Sequence, residues 1–159
     1  LGAACMRDVY VALIGDLKGG GFFSDYHSLF SKVTSSPLLA TKVHFSGYVS
    51  DRDLVALYSS ALALTMPSYS EGFGLPAIEA MACGAPVLAS NRGSLPEVVG
   101  DAGIYFDPFN IESISNAIIE MAENNRLRLE LSSNALTRAR TFTWQHSAQV
   151  TLSHLEAMV

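Results

Sequence analysis

Two carboxylates and two glycines lie within one short stretch, Pro67-Ser68-Tyr69-Ser70-Glu71-Gly72-Phe73-Gly74-Leu75-Pro76-Ala77-Ile78-Glu79-Ala80-Met81-Ala82-Cys83-Gly84. The apolar run before it ends at Met66, and a helical pattern begins near Leu75. Gly72 and Gly74 remove two side chains where backbone N–H groups emerge at a helix start. Free amides and the positive end of the helix dipole both favour an anion there, a phosphate above all. Glu71 precedes this nest, and Glu79 follows Pro76 by about one turn, roughly 4–5 Å along the axis. Carboxylates accept hydrogen bonds from hydroxyls. A ligand with phosphates in its middle and hydroxyls on both sides fits this order, and a nucleotide-sugar is such a ligand.

The elements that must hold these groups are short apolar runs alternating with helical periods. Val9–Ile14 reads as a buried strand stopping at Gly15-Asp16, and Lys18–Gly21 as a glycine-rich loop. Phe22–Ser35 reads as a weak helix with Phe23, Tyr26, Phe30 and Val33 at helical spacing. Val43–Phe45 is a second strand. Ser50-Asp51-Arg52-Asp53 then has capping-box spacing, which predicts a helix with Leu54, Leu57 and Tyr58 facing inward. Ala61–Met66 and Pro86–Ala89 are the third and fourth strands, with a helix Leu75–Cys83 between them. Pro76 stands at its first position and Gly84 just past its end. Gly103–Phe106 is a fifth strand. Helices follow from Ile111, over Arg126–Arg140 and over Trp144–Met158.

Strands alternating with helices predict an α/β fold. Its sheet is doubly wound, mostly parallel and Rossmann-like, with helices on both faces. Residues 1–159 read as one domain. Ligands of such sheets bind beyond the carboxyl ends of the strands. Those ends are the loops Gly15–Gly21, Gly47–Ser50, Ser68–Gly74 and Ser90–Ser94.

Composition narrows the function classes. The chain has 159 residues, 49% hydrophobic and 16% charged, with a net charge of −5. It is rich enough in apolar residues for a core, and its acidic balance disfavours nucleic acid and anionic lipid as partners. Two distant cysteines, Cys5 and Cys83, make neither a disulfide framework nor a zinc pattern and fit a reducing compartment. Cys83 reads as a small buried side chain, Trp144 as a core anchor, and the stripe Ile111, Ile114, Ile118 and Met121 as core packing. His27, His44, His146 and His154 show no metal-ligand spacing. No run approaches the ~18 apolar residues of a spanning helix.

The central stretch resembles the Glu-x7-Glu signature of retaining glycosyltransferases of the GT-B fold, glycosyltransferase family 4 (group 1), in their C-terminal donor-binding domain. Glu-Gly-Phe-Gly-Leu-Pro, Glu-Ala-Met-Ala-Cys-Gly and Pro-Val-Leu-Ala-Ser carry the likeness. So do Phe45-Ser46-Gly47-Tyr48-Val49, Leu95-Pro96-Glu97-Val98, and Gly100-Asp101-Ala102-Gly103 leading to Phe106-Asp107-Pro108. The resemblance runs from about Val9 to the last helix, and the motif style is similar to bacterial mannosyltransferases.

This resemblance implies transfer of a sugar from a nucleotide diphosphate sugar, with retention at the anomeric carbon and no metal or other cofactor. It implies that Glu71 sits beside the donor sugar and stabilises the charged transition state, and that Glu79 binds the ribose hydroxyls. The amides of Gly72, Phe73, Gly74 and Leu75 would hold sugar and diphosphate. Main-chain groups of Gly47, Tyr48 and Val49 would touch the base, and Gly15 would line the same cleft. The family's donor domain opens with a further strand bearing Gly-Arg and a later Lys, and no such pair precedes Val9. An N-terminal domain binding a glycan or lipid-linked acceptor is likewise expected outside this chain, which alone is expected to be inactive. A sheet edge left by a missing strand invites a homodimer, swapped or not. The expected location is the cytoplasm, peripheral to a membrane in the complete enzyme.

Plainer readings stand beside these. Glu71 also reads as a solvated loop acid, and Glu79 as a helix-dipole partner. Gly72 and Gly74 also serve a turn. Asp51-Arg52-Asp53 matches the D-x-D of metal-dependent transferases, but its helix-start position favours capping. Gly19–Gly21 is either a ligand loop or a connector. At the level of function, a non-catalytic nucleotide-sugar-binding or assembly module is the alternative, and a sugar-nucleotide epimerase a third.

Overall fold

A computed structural model describes residues 9–15 and 25–158. The expected loop Lys18–Gly21, the start of the predicted helix at Phe22, and Cys5 lie outside the described residues. The chain divides into two compact units, Leu1–Leu54 and Val55–Val159.

In the first unit, β1 (Val11–Ile14) pairs in parallel with β2 (Val43–Gly47). The register runs from Val11 against Val43 to Ile14 against Gly47, with an irregularity after Leu13. α1 (Tyr26–Thr34) and α2 (Pro37–Lys42) form the crossover. α1 lays Tyr26 and Phe30 against Phe45 of β2, with centroids 5.6 and 5.4 Å apart. α2 is too short to show a helical period in the sequence; Ser36 caps it by accepting from the Leu39 N–H, and Pro37 opens it. Burial of β1 on both faces is not what the structure shows, because Val11, Ala12 and Ile14 are exposed. In a two-stranded sheet each strand is an edge, so neither is enclosed as a central strand would be.

α3 (Asp51–Ser60) starts where the capping pattern placed it. The Ser50 Oγ accepts the Asp53 N–H at 3.2 Å and donates to the Asp53 carboxylate at 2.7 Å. Asp53 is thereby engaged in the cap. Of the expected inward stripe, Tyr58 is buried, and Leu54 and Leu57 are half-buried.

The second unit holds β3 (Leu64–Met66), β4 (Val87–Ser90) and β5 (Gly103–Phe106), parallel and in the order β3-β4-β5. α4 (Leu75–Ala82) links β3 to β4. The foreseen helix is one residue longer; Leu75 opens it, with Pro76 second. Gly84 follows its end with φ +83°, the left-handed stop a glycine supplies. α5 (Leu95–Val99), which was not foreseen, and a single 3-10 turn Gly100–Ala102 link β4 to β5. Then come α6 (Ile111–Glu123), α7 (Asn125–Ala139) and α8 (Trp144–Glu156).

β4 is buried at all four residues, the pattern of a strand covered on both faces. Successive side chains of a strand point to opposite faces. Val87 and Ala89 accordingly join one core with Met66, Ala77, Met81, Leu95, Val98 and Val99 from β3, α4 and α5. Leu88 joins a second core with Phe106, Ala117 and Met121 from β5 and α6. α7 contributes Ala135 and Ala139 to the first core and Leu131 to the second. The parallel sheet with helices on both faces is the architecture the strand pattern predicted.

Three side chains depart from expectation. Trp144 is 86% exposed rather than a core anchor, because α8 turns it to solvent at its first position. Ile111 is also exposed, so the α6 stripe begins at Ile114. Cys83 is half-buried and free, at the C-terminal end of α4 rather than within it.

Candidate functional site

Three loops leave the carboxyl ends of β3, β4 and β5, and two of them interlock. The β3–α4 loop carries Glu71, which is half-buried. Its carboxylate accepts from the Ser68 Oγ at 3.3 Å. Its main-chain carbonyl accepts from the Ser94 N–H at 3.3 Å and from the Ser94 Oγ at 3.0 Å. Gly93, at φ +61°, lies so close that a Cβ there would stand 2.9 Å from both N and O of Glu71. Only a glycine fits, by backbone conformation and by space. The β4–α5 loop is itself tied down: Ser90 is fully buried and its Oγ accepts from the Arg92 N–H, while the Asn91 N–H reaches the Phe106 carbonyl.

The β3–α4 loop ends at a helix start without a side-chain cap. Gly74 is the cap residue of α4, at φ +93°. A Cβ there would meet the Leu95 Cδ2 at 2.9 Å, so the chain turns tightly against α5. The first amides of a helix have no partner within it, and Pro76 has no N–H to offer. The positive end of the helix dipole falls at this point. Gly72 is exposed, with open space where a Cβ would be. Phe73 is anchored by an edge-to-face contact with Phe142, centroids 6.0 Å apart. Leu75 is exposed at the first position of α4.

Glu79 lies on the same helix and is exposed. The neighbouring Tyr58 hydroxyl is held above its ordinary value of 10.0, first by burial and then by the negative charge and hydrogen bonding of Glu79. A proton loss at Tyr58 would create a phenolate beside a carboxylate, which explains the direction. Glu71, Gly72, Phe73, Gly74, Leu75 and Glu79 thus share one loop and the helix it enters.

Gly15, Gly47, Tyr48 and Val49 belong to the first unit, at the carboxyl ends of β1 and β2. The Gly15 N–H donates to the Gly47 carbonyl at 3.1 Å, and Gly47 has φ +68°. Tyr48 is almost fully exposed, and Val49 is half-buried. The sequence puts Gly93 and Ser94 in the cleft loop Ser90–Ser94 without marking a role for either. A glycine just past a strand end was the available signal, and what it touches lies more than twenty residues away. Among the described residues, no group of three or more His, Cys, Asp or Glu side chains is placed to hold a metal ion. Among the same residues, no helix is long and apolar enough to cross a membrane.

Residues 9–138 match the family model of the group 1 glycosyl transferases, and the chain belongs to that family. It is similar to O-antigen chain mannosyltransferase B of Escherichia coli, 42% identical over 111 residues, which is 70% of this chain and 29% of that protein. It is also similar to the MMP alpha-(1->4)-mannosyltransferase of Mycolicibacterium hassiacum, 34% identical over 157 residues, 96% of this chain and 36% of the relative. The chain therefore spans about a third of the length of these relatives. Among solved structures, it superposes on sucrose-phosphate synthase from Thermosynechococcus elongatus with a TM-score of 0.79 and 29% identity, over 92% of this chain and 38% of that one. Anabaena Alr3699/HepE, solved in complex with UDP-glucose, superposes with a TM-score of 0.80 and 25% identity, over 98% and 42%. The parallel sheets flanked by helices are those of the C-terminal half of a GT-B fold.

Proposed function

We propose that this chain binds the nucleotide-sugar donor of a retaining hexosyltransferase of family 4, whose acceptor is held by a further N-terminal domain. The observation that carries this reading is the Glu71 loop: an acidic residue whose main chain is pinned by Gly93 and Ser94, on a segment that enters an uncapped helix start. In this reading the departing diphosphate rests on the amides of Gly72 to Leu75 and the dipole of α4, without a bound metal. Such donors are fixed before the reaction, so they stabilise the developing charge without having to reorganise. Glu71 contacts the donor sugar hydroxyls and supports positive charge at the anomeric carbon. Glu79 accepts from the ribose hydroxyls. Similarity to two mannosyltransferases favours mannose as the sugar.

Calorimetric titration with UDP, GDP, ADP and their sugar derivatives tests the proposal. Saturable binding of one nucleotide, weakened about tenfold in Glu79→Ala, is expected from the loss of one or two charge-assisted hydrogen bonds. A folded chain that binds none of them would overturn it.

A further inference from the structure

Tyr69 and Phe109 come from different loops, after β3 and β5, yet their rings stack with centroids 4.7 Å apart and planes 14° apart. The two are 66% and 69% exposed. Single exposed aromatic residues are ordinary, whereas joined apolar area on a surface points to a contact made there. Phe109 is also held firmly. Its N–H donates to the Asp107 carboxylate at 3.1 Å, and the Asp107 N–H donates to the Ser113 Oγ at 3.1 Å. Arg92, from the loop after β4, stands 5.8 Å from the Phe109 centroid and 3.8 Å from the Asp107 carboxylate. Three strand ends thus assemble an exposed aromatic surface edged by one cation and one anion.

We infer that the outer face of Tyr69, backed by the stacked Phe109 ring, forms a platform on which a pyranose ring of the acceptor glycan stacks. A pyranose offers a face of C–H groups, whose slightly positive hydrogens suit the negative face of an aromatic ring. Around that face runs a rim of hydroxyls, which the Arg92 donors and the Asp107 acceptor can meet. A nucleobase also stacks on aromatic rings and its polar edge suits the same two groups; the nucleotide affinities of the ring variants separate the two. Tyr69 lies two residues before Glu71, and Ser68, the residue preceding Tyr69, donates to the Glu71 carboxylate. The inference rests on the reading of Glu71 as the sugar-side carboxylate. There the donor sugar is held by Glu71 itself, so the neighbouring exposed platform serves one ring of the acceptor, the rest of which the further N-terminal domain holds.

Saturation-transfer NMR on this chain tests it, with methyl α-pyranosides and α-linked trisaccharides of mannose, glucose and galactose as probes. Transfer from aromatic protons to one face of a trisaccharide is expected. Its dissociation constant should rise about fivefold or more in Tyr69→Ala and in Phe109→Ala, and hold within about twofold in Tyr69→Phe. Nucleotide affinity, measured in the same samples, should match the parent in all three variants. Absent sugar contact with nucleotide binding intact overturns the platform alone. Lost nucleotide affinity in the alanine variants, or displacement of the trisaccharide by saturating nucleotide-sugar, assigns the rings to the donor and overturns it too. A parent chain that binds no nucleotide removes the donor reading and this inference together.

Discussion

Gly93 touches the Glu71 backbone so closely that a methyl group at Gly93 would stand 2.9 Å from both its nitrogen and its oxygen. The carboxylate that defines the candidate site is positioned from a neighbouring strand end, by contacts to its main chain rather than to its side chain. Ser94 completes the arrangement with two hydrogen bonds to the same carbonyl.

Gly93→Ala must therefore relieve both a steric overlap and a left-handed backbone. Costs of this kind run to about 1–3 kcal/mol, which for a chain of this size lowers Tm by about 2–4 °C per kcal/mol. Thermal unfolding followed by circular dichroism would show it. Because the strain falls on the loop, nucleotide affinity should drop as well. An alanine variant with unchanged Tm and affinity would mean that the loops are not locked together.

Glu71→Gln keeps the shape of the side chain and removes its charge. Among the described residues the carboxylate makes a single hydrogen bond, to Ser68, so stability should change by no more than about 0.5 kcal/mol. Sugar transfer by a polypeptide carrying this chain should fall by about 10²–10³-fold, as when one preorganised electrostatic group is lost. Steady-state kinetics decide the matter, and undiminished turnover would remove Glu71 from the chemistry.

Alkaline pH should weaken the fold through two tyrosines. Both Tyr58 and Tyr105 are held above the ordinary value of 10.0, each chiefly by burial. Near pH 10 the unfolded chain releases these protons while the folded chain retains them. The folded state then binds more protons, so stability falls as pH rises. Stability should be level below about pH 10 on this account and decline above it. Tyr105 also donates to the Gly100 carbonyl at 2.6 Å. Tyr105→Phe should cost stability at neutral pH and make the alkaline decline shallower; urea unfolding at several pH values would reveal an unchanged slope if the assignment fails.

Asn110 caps α6 by accepting from the N–H groups of Glu112 and Ser113, at 2.9 and 3.1 Å. Asn110→Ala should cost about 1 kcal/mol. Nucleotide affinity should be unaffected, since the cap faces neither Glu71 nor α4 through any of its bonds. Denaturant titration and calorimetry on one preparation separate the two readouts.

What the sequence determined by itself was local. The Ser50–Asp53 cap, the strand Gly103–Phe106 and the glycine stop after α4 follow from hydrogen-bonding groups and backbone preferences within a few residues of one another. The parallel architecture follows from apolar runs alternating with helical periods, and the site's outline from two carboxylates and two glycines in one short stretch. Tertiary structure decided the rest. Periodicity says which face of α8 is apolar, not what covers it, so Trp144 could be read as buried. The short helices α2 and α5 carry too few residues for a period to show. The locking of Glu71 by Gly93 and Ser94, and the stacking of Tyr69 on Phe109, join loops far apart along the chain. Such contacts arise only when the parallel register of β3, β4 and β5 brings their carboxyl ends to one edge, and no residue's own neighbours in sequence encode that meeting.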